Sequence, residues 1–186
     1  AAFGVCQIKG KLGNFVFLFC LCGLLLSPQV CLLPLFMLLK ALKLKNTLGA
    51  MIVPYIAFRL PVSIMLIRSF FIGISKELEE AAILDGASLF QIYKDIYLPL
   101  SKPIMSTVVI MTTYYAWNEF VFATIFVDSS KLRTIPVGLM AFSDGLMTEW
   151  GVVLAGMVIA CLPIMILFIA MQKNFVRGMM AGSVKG

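Results

Sequence analysis

The sequence contains no histidine, so a zinc or haem site would lack its commonest ligand. The five cysteines, Cys6, Cys20, Cys22, Cys31 and Cys161, lie mostly inside apolar runs and form no ligand spacing. They read as small buried hydrophobes, and no metal site is expected. Charge is scarce: Asp, Glu, Lys and Arg make up 13% of the residues, where soluble domains carry about a quarter. The net charge of +6 gathers into no basic stripe, because the 15 Lys and Arg stand singly between apolar runs. A nucleic-acid surface is excluded on that pattern. No acid pair, no nucleophile beside a base and no phosphate-binding Gly-rich loop occurs, so catalytic residues and a resident cofactor are not expected.

What is abundant is apolar sequence: 61% of the residues are hydrophobic and the mean hydropathy is +1.02. A water-soluble chain of 186 residues could not hide so much of it without exposing large sticky patches. The sequence therefore predicts an all-α membrane protein, a single domain over 1–186 that spans the bilayer several times. A hydrocarbon core about 30 Å thick takes about 20 helical residues. Four stretches reach that length, at about 15–39, 48–72, 104–127 and 151–171. Pro28 and Pro34 in the first, and Pro54 and Pro61 in the second, each remove a backbone donor, so neither is expected to be a straight rod. No A-x-A cleavage pattern follows the first run, which distinguishes it from a signal peptide.

Between the second and third stretches, 73–102 is too charged for hydrocarbon and too patterned for a slack linker. It predicts a helix-turn-helix. Ser75 is placed to cap a helix through "KELEEAAIL", whose acids suit its positive N-terminal end. Gly86 permits a turn, Ser88 with Gln91 forms a capping box for "LFQIYKDI", and Pro99 closes that second helix. Ala81, Ala82, Leu84, Phe90, Ile92 and Tyr93 are available for packing or for a partner's groove. If 73–102 is cytoplasmic, its side of the membrane carries Lys9, Lys11, Arg68, Lys76, Lys94, Lys102, Lys173, Arg177 and Lys185. The outer side carries Lys40, Lys43, Lys45, Lys131 and Arg133. That bias agrees with the positive-inside rule, although Lys40 to Lys45 weaken it.

The run "EAAILDGASLFQIYKDIYLP" has seven fixed positions at fixed spacing: Glu80, Ala81, Ala82, Gly86, Ile96, Leu98 and Pro99. It resembles the EAA loop of binding-protein-dependent ABC importer permeases. "SPQVCLLPLF", "AWNEF", "LRTIPVGL" and "FVRGMMAGSVKG" resemble the carbohydrate-uptake group within it, in particular the smaller permease of maltose-type transporters. The resemblance covers essentially the whole chain. It implies a permease subunit in the inner (plasma) membrane that forms the path for a carbohydrate, with the loop and the C-terminus cytoplasmic. The implied partners are an ATPase dimer, which binds the ATP and Mg, a second homologous permease, an extracytoplasmic solute-binding protein and the lipid bilayer. In that family 73–102 couples to the ATPase, and Asp85 and Ala87 flank the glycine of the motif. Such permeases usually have six spans, so the chain is expected to be a fragment without the first and most of the second, Ala1 to Gly4 being the latter's inner end.

Arg59 and Glu119 stand inside apolar stretches, where a charge costs at least ~2.5 kcal/mol. At 1.5 Å per residue they lie about 16 Å and about 12 Å from the outer ends of their stretches, a depth that allows an ion pair. Alternatively, Asn118 and Glu119 face a water-filled path and hydrogen-bond a sugar's hydroxyls. Trp117 and Trp150 read as packing or interfacial anchors.

Overall fold

The computed structural model describes residues 1–8, 10–142 and 148–183. Lys9 and Lys185 of the charge count fall outside the described residues, as do the side chains of Lys173 and Arg177. The chain runs through helices α1 (Ala2–Gln7), α2 (Lys11–Cys22), α3 (Leu32–Ala41), α4 (Gly49–Ile72), α5 (Lys76–Leu84), α6 (Leu89–Gln91), α7 (Leu98–Leu100), α8 (Lys102–Trp117), α9 (Val121–Phe126), α10 (Ile135–Met140) and α11 (Trp150–Ser183). A π-helical turn, Ile92–Tyr97, joins α6 to α7. Among the described residues, Gly49–Ile72 and Trp150–Gln172 are long and apolar enough to cross a membrane.

Two of the four apolar stretches are interrupted. The stretch 15–39 is helical to Cys22, continues as a short 3₁₀ turn over Gly23–Leu25, and resumes as α-helix only at Leu32. Pro28 lies in the gap, where local turns take over from the helix ladder: the N–H of Val30 donates to the Ser27 carbonyl at 3.1 Å. The stretch 104–127 breaks at 118–120, between α8 and α9. By contrast, α4 stays helical through Pro54 and Pro61, and α11 through Pro163.

Pro99 does not close a helix either. Helical backbone continues from Leu89 to Leu100 by way of the π turn just before the proline. A wider turn relieves the clash between the proline ring and the preceding carbonyls, and it tolerates the missing N–H.

The chain divides into two compact units. The first comprises 1–25, 60–110 and 171–186. Its core gathers Ala2, Phe71, Ile92 and Tyr97, with Phe3 and Tyr93 packed against them. The Phe3 ring lies 4.9 Å from that of Tyr97 and 5.1 Å from that of Tyr93, and Phe71 meets Tyr97 edge-on at 5.1 Å. Edge-to-face pairs of this kind contribute about 0.5–1.5 kcal/mol each beyond the area they bury.

The second unit comprises 26–59 and 111–170. Leu39, Ala50, Phe122 and Phe126 form its centre, with Tyr55 and Phe58 against them. Phe122 stacks on Phe126 at 5.3 Å. Asn46, in the left-handed region at φ 60, ties the loop after α3 to the end of α9: its Oδ1 accepts from the N–H of Asp128 and of Ser129 at 3.1 and 2.8 Å. Lys45 adds an ion pair to Asp128 at 3.0 Å. Along α11, Leu154, Val158, Ile159 and Ile166 are exposed, a surface that fits lipid rather than water.

Candidate functional site

The segment 73–102 is a built knob within the first unit. Ser75 accepts from the N–H of Glu77 at 3.2 Å and so caps α5, whose first turn carries Glu77 and Glu79. After α5 the chain turns at Gly86, whose φ of +80 belongs to the left-handed region that glycine enters at little cost. A Cβ there would meet nothing within 4 Å, so the requirement is conformational, not steric. Ser88 and Gln91 then form a reciprocal capping box at the start of α6. Ser101 donates both its N–H and its hydroxyl to the Tyr97 carbonyl.

The fold sorts the motif residues into two faces. Ala82, Ala87 and Ile96 pack against the aromatic core. Glu80, Ala81, Asp85, Gly86, Leu98 and Pro99 are exposed. The tip also offers large apolar side chains to solvent: Leu84 is 88% exposed and Phe90 69%.

One residue on the inner face stands outside the seven motif positions. Glu79, next to Glu80, accepts the hydroxyl of Tyr97 at 2.8 Å and the side-chain amide of Gln7 at 3.0 Å. Burial and this bond to Glu79 hold the Tyr97 phenol well above its usual range, so it remains a donor at neutral pH. Burial likewise pushes the Cys6 thiol up, with Arg68 opposing. The only signal for Glu79 in the sequence is its helical spacing, three residues before the packed Ala82.

The second unit holds a cavity of about 470 Å³, lined by Gln29, Arg59, Tyr114, Tyr115, Asn118 and Glu119 among others. It lies at the break between α8 and α9. The Asn118 amide donates to the Tyr114 carbonyl at 2.8 Å. The Glu119 carboxylate accepts from Tyr55 Oη at 2.7 Å and from the N–H of Phe122 and Ala123 at 2.7 and 3.1 Å. It therefore caps α9 and holds the facing helix α4 in one device. Arg59 reaches the Met111 carbonyl at 3.4 Å and lies over the Tyr115 ring at 4.7 Å. Both charges line the same cavity, and sequence reasoning missed the capping role because it took 104–127 as unbroken. Trp117 donates its indole N–H to the Ala160 carbonyl at 3.0 Å, a packing contact.

Residues 1–181 match the model of the family described as "Binding-protein-dependent transport system inner membrane component". The chain belongs to that family. Similar members include a probable ABC transporter permease protein, YurM, of Bacillus subtilis, 54% identical over all 186 residues, of which the chain spans 62%. The trehalose/maltose transport system permease MalG of Thermococcus litoralis is 38% identical and is covered over 67% of its length. The arabinooligosaccharides permease AraQ of Halalkalibacterium halodurans is 35% identical and covered over 65%. Among solved structures, a bacterial ABC transporter involved in the import of the acidic polysaccharide alginate shares the fold, with a TM-score of 0.75 over 94% of this chain and 66% of the other, at 22% identity. The knob presents exposed apolar side chains at its tip, and the cavity of the second unit is a mainly apolar chamber to which Arg59, Asn118 and Glu119 bring polar groups.

Proposed function

We propose that this chain is part of the permease subunit of an ATP-driven importer, forming the membrane path for a carbohydrate and coupling to an ATPase dimer through 73–102. A second homologous permease completes the path, and an extracytoplasmic solute-binding protein delivers the sugar. The protein lies in the inner membrane as a multi-pass helix bundle, about four spans falling in this chain, with the helix-turn-helix and the C-terminus cytoplasmic. ATP and Mg belong to the partner, and the chain itself catalyses nothing.

The observation that carries this reading is the knob: two capped helices around Gly86, with Glu80, Ala81 and Asp85 outward beside the exposed Leu84 and Phe90. An apolar tip on a rigid support is what a groove in a force-transmitting neighbour would grip. The cavity supports the path. Its aromatic rings, amides and charges suit sugar hydroxyls, and Arg59, Asn118 and Glu119 are its polar wall.

The test uses the full-length permease purified from its native membrane. An ATP-hydrolysing subunit should copurify, and proteoliposomes should take up label from a mixture of radiolabelled maltose, trehalose, raffinose and arabinotriose only when ATP is supplied. Placing aspartate at both Leu84 and Phe90 should release the ATPase while leaving the yield of permease unchanged. Retention of the ATPase by that variant, or uptake without ATP, would refute the reading.

A further inference from the structure

A knob gripped at its tip transmits force only if its root is tied to the helices that must move. Two hydrogen bonds form that tie within the first unit. Glu79 on α5 accepts from Tyr97 at the end of the π turn, 18 residues on, and from Gln7 of α1, 72 residues back. Around these bonds lies the aromatic cluster of Phe3, Phe71, Tyr93 and Tyr97. A carboxylate with two donors from two other helices is a three-way joint. Packed aromatic rings alone fix no single direction, whereas charged hydrogen bonds do.

We propose that Glu79 is a positioning residue for coupling: it latches α5 to α1 and to the helix entering α8, so that displacement of the tip moves the membrane helices instead of bending the knob at its root. The role differs from that of Glu80, which is exposed beside it and free to meet a partner. This inference rests on the importer reading above and adds to it the place where the force enters the bundle.

The latch predicts slippage. Losing one hydrogen bond to a charged acceptor lowers the odds of the latched state by roughly tenfold or more. In the full-length permease complex, Tyr97→Phe and Glu79→Ala should still copurify with the ATPase and hydrolyse ATP. The amount of the same labelled sugar mixture moved per ATP should fall to roughly half of wild type or less. Glu79→Gln keeps a carbonyl oxygen for the tyrosine and should fall between. A wild-type ratio in Tyr97→Phe and Glu79→Ala would overturn the proposal, as would loss of complex yield in step with uptake, the mark of a merely structural contact. Failure of the wild-type complex to hold an ATPase or to show ATP-driven uptake would instead overturn the importer reading, and this inference with it.

Discussion

Removing the carboxylate of Glu119 should loosen the second unit more than any other single change at the cavity. Three donors converge on it, from Tyr55, Phe122 and Ala123, at 2.7, 2.7 and 3.1 Å. A hydrogen bond to a charged acceptor is worth about 1.5–3 kcal/mol, and a buried donor left without a partner costs a similar amount. Glu119 also lines the cavity, so water would re-solvate part of the site. Glu119→Ala is therefore expected to cost about 3 kcal/mol, below the simple total of three bonds. Glu119→Gln keeps one oxygen but turns an N–H group toward other N–H groups, for a cost of about 2 kcal/mol. In the detergent-solubilised full-length protein, tryptophan fluorescence should show Glu119→Gln melting some 4–8 °C lower, at about 2–4 °C per kcal/mol for a protein of this size. Tyr55→Phe should cost less in the Glu119→Gln background than alone, since the two share a bond. Were Glu119 there only to meet a solute, Glu119→Gln would leave the melting temperature unchanged and alter uptake alone, and the capping argument would fail.

At Gly86, alanine should cost about 1–2 kcal/mol from the left-handed backbone alone, because no atom stands near the added methyl. Gly86→Asn should therefore retain more ATPase in a pull-down than Gly86→Ala. A Cβ at Gly156 would come within 2.3 Å of Leu139 Cδ2, so Gly156→Ala should lower the melting temperature by the equivalent of about 1 kcal/mol. The double variant with Leu139→Ala should recover part of that loss, and additive effects would rule out the contact. Asn46→Ala gives up two bonds to backbone N–H groups and a tolerated left-handed residue. It should destabilise by about 2 kcal/mol, seen as faster protease cleavage in the loop that contains Asp128.

Apart from Pro99, features set by neighbours in the chain were legible, and those set by distant partners were not. Ser75, and Ser88 with Gln91, act within three residues of themselves, and the structure has both caps. Gly86 needs only its own backbone, and its left-handed φ follows from the turn that the sequence announces. The role of Glu79 depends on Gln7 and Tyr97, which adjoin it only after folding, whereas the linear pattern singles out Glu80 instead. The Trp-Asn-Glu run was recognisable as polar in an apolar stretch, yet its partner Tyr55 lies 64 residues away. The sequence therefore left a solute contact and an ion pair open and did not show the cap.

The helix breaks carry the same lesson further. Proline was the obvious marker for an interruption, yet α4 continues through Pro54 and Pro61, while the break at 118–120 contains no proline. In hydrocarbon, a helix opens where something else satisfies the freed backbone groups, not simply where one donor is missing. A lone proline forfeits a single N–H, and in α4 the fully buried Pro54 is held by packing instead. At 118–120 the side chains of Asn118 and Glu119 serve one carbonyl and two N–H groups. The break therefore sits where polar side chains supply partners, and the same groups furnish the wall of the cavity. A broken helix and the polar side of the cavity thus share one cause, and changes that mend the helix should also close the cavity.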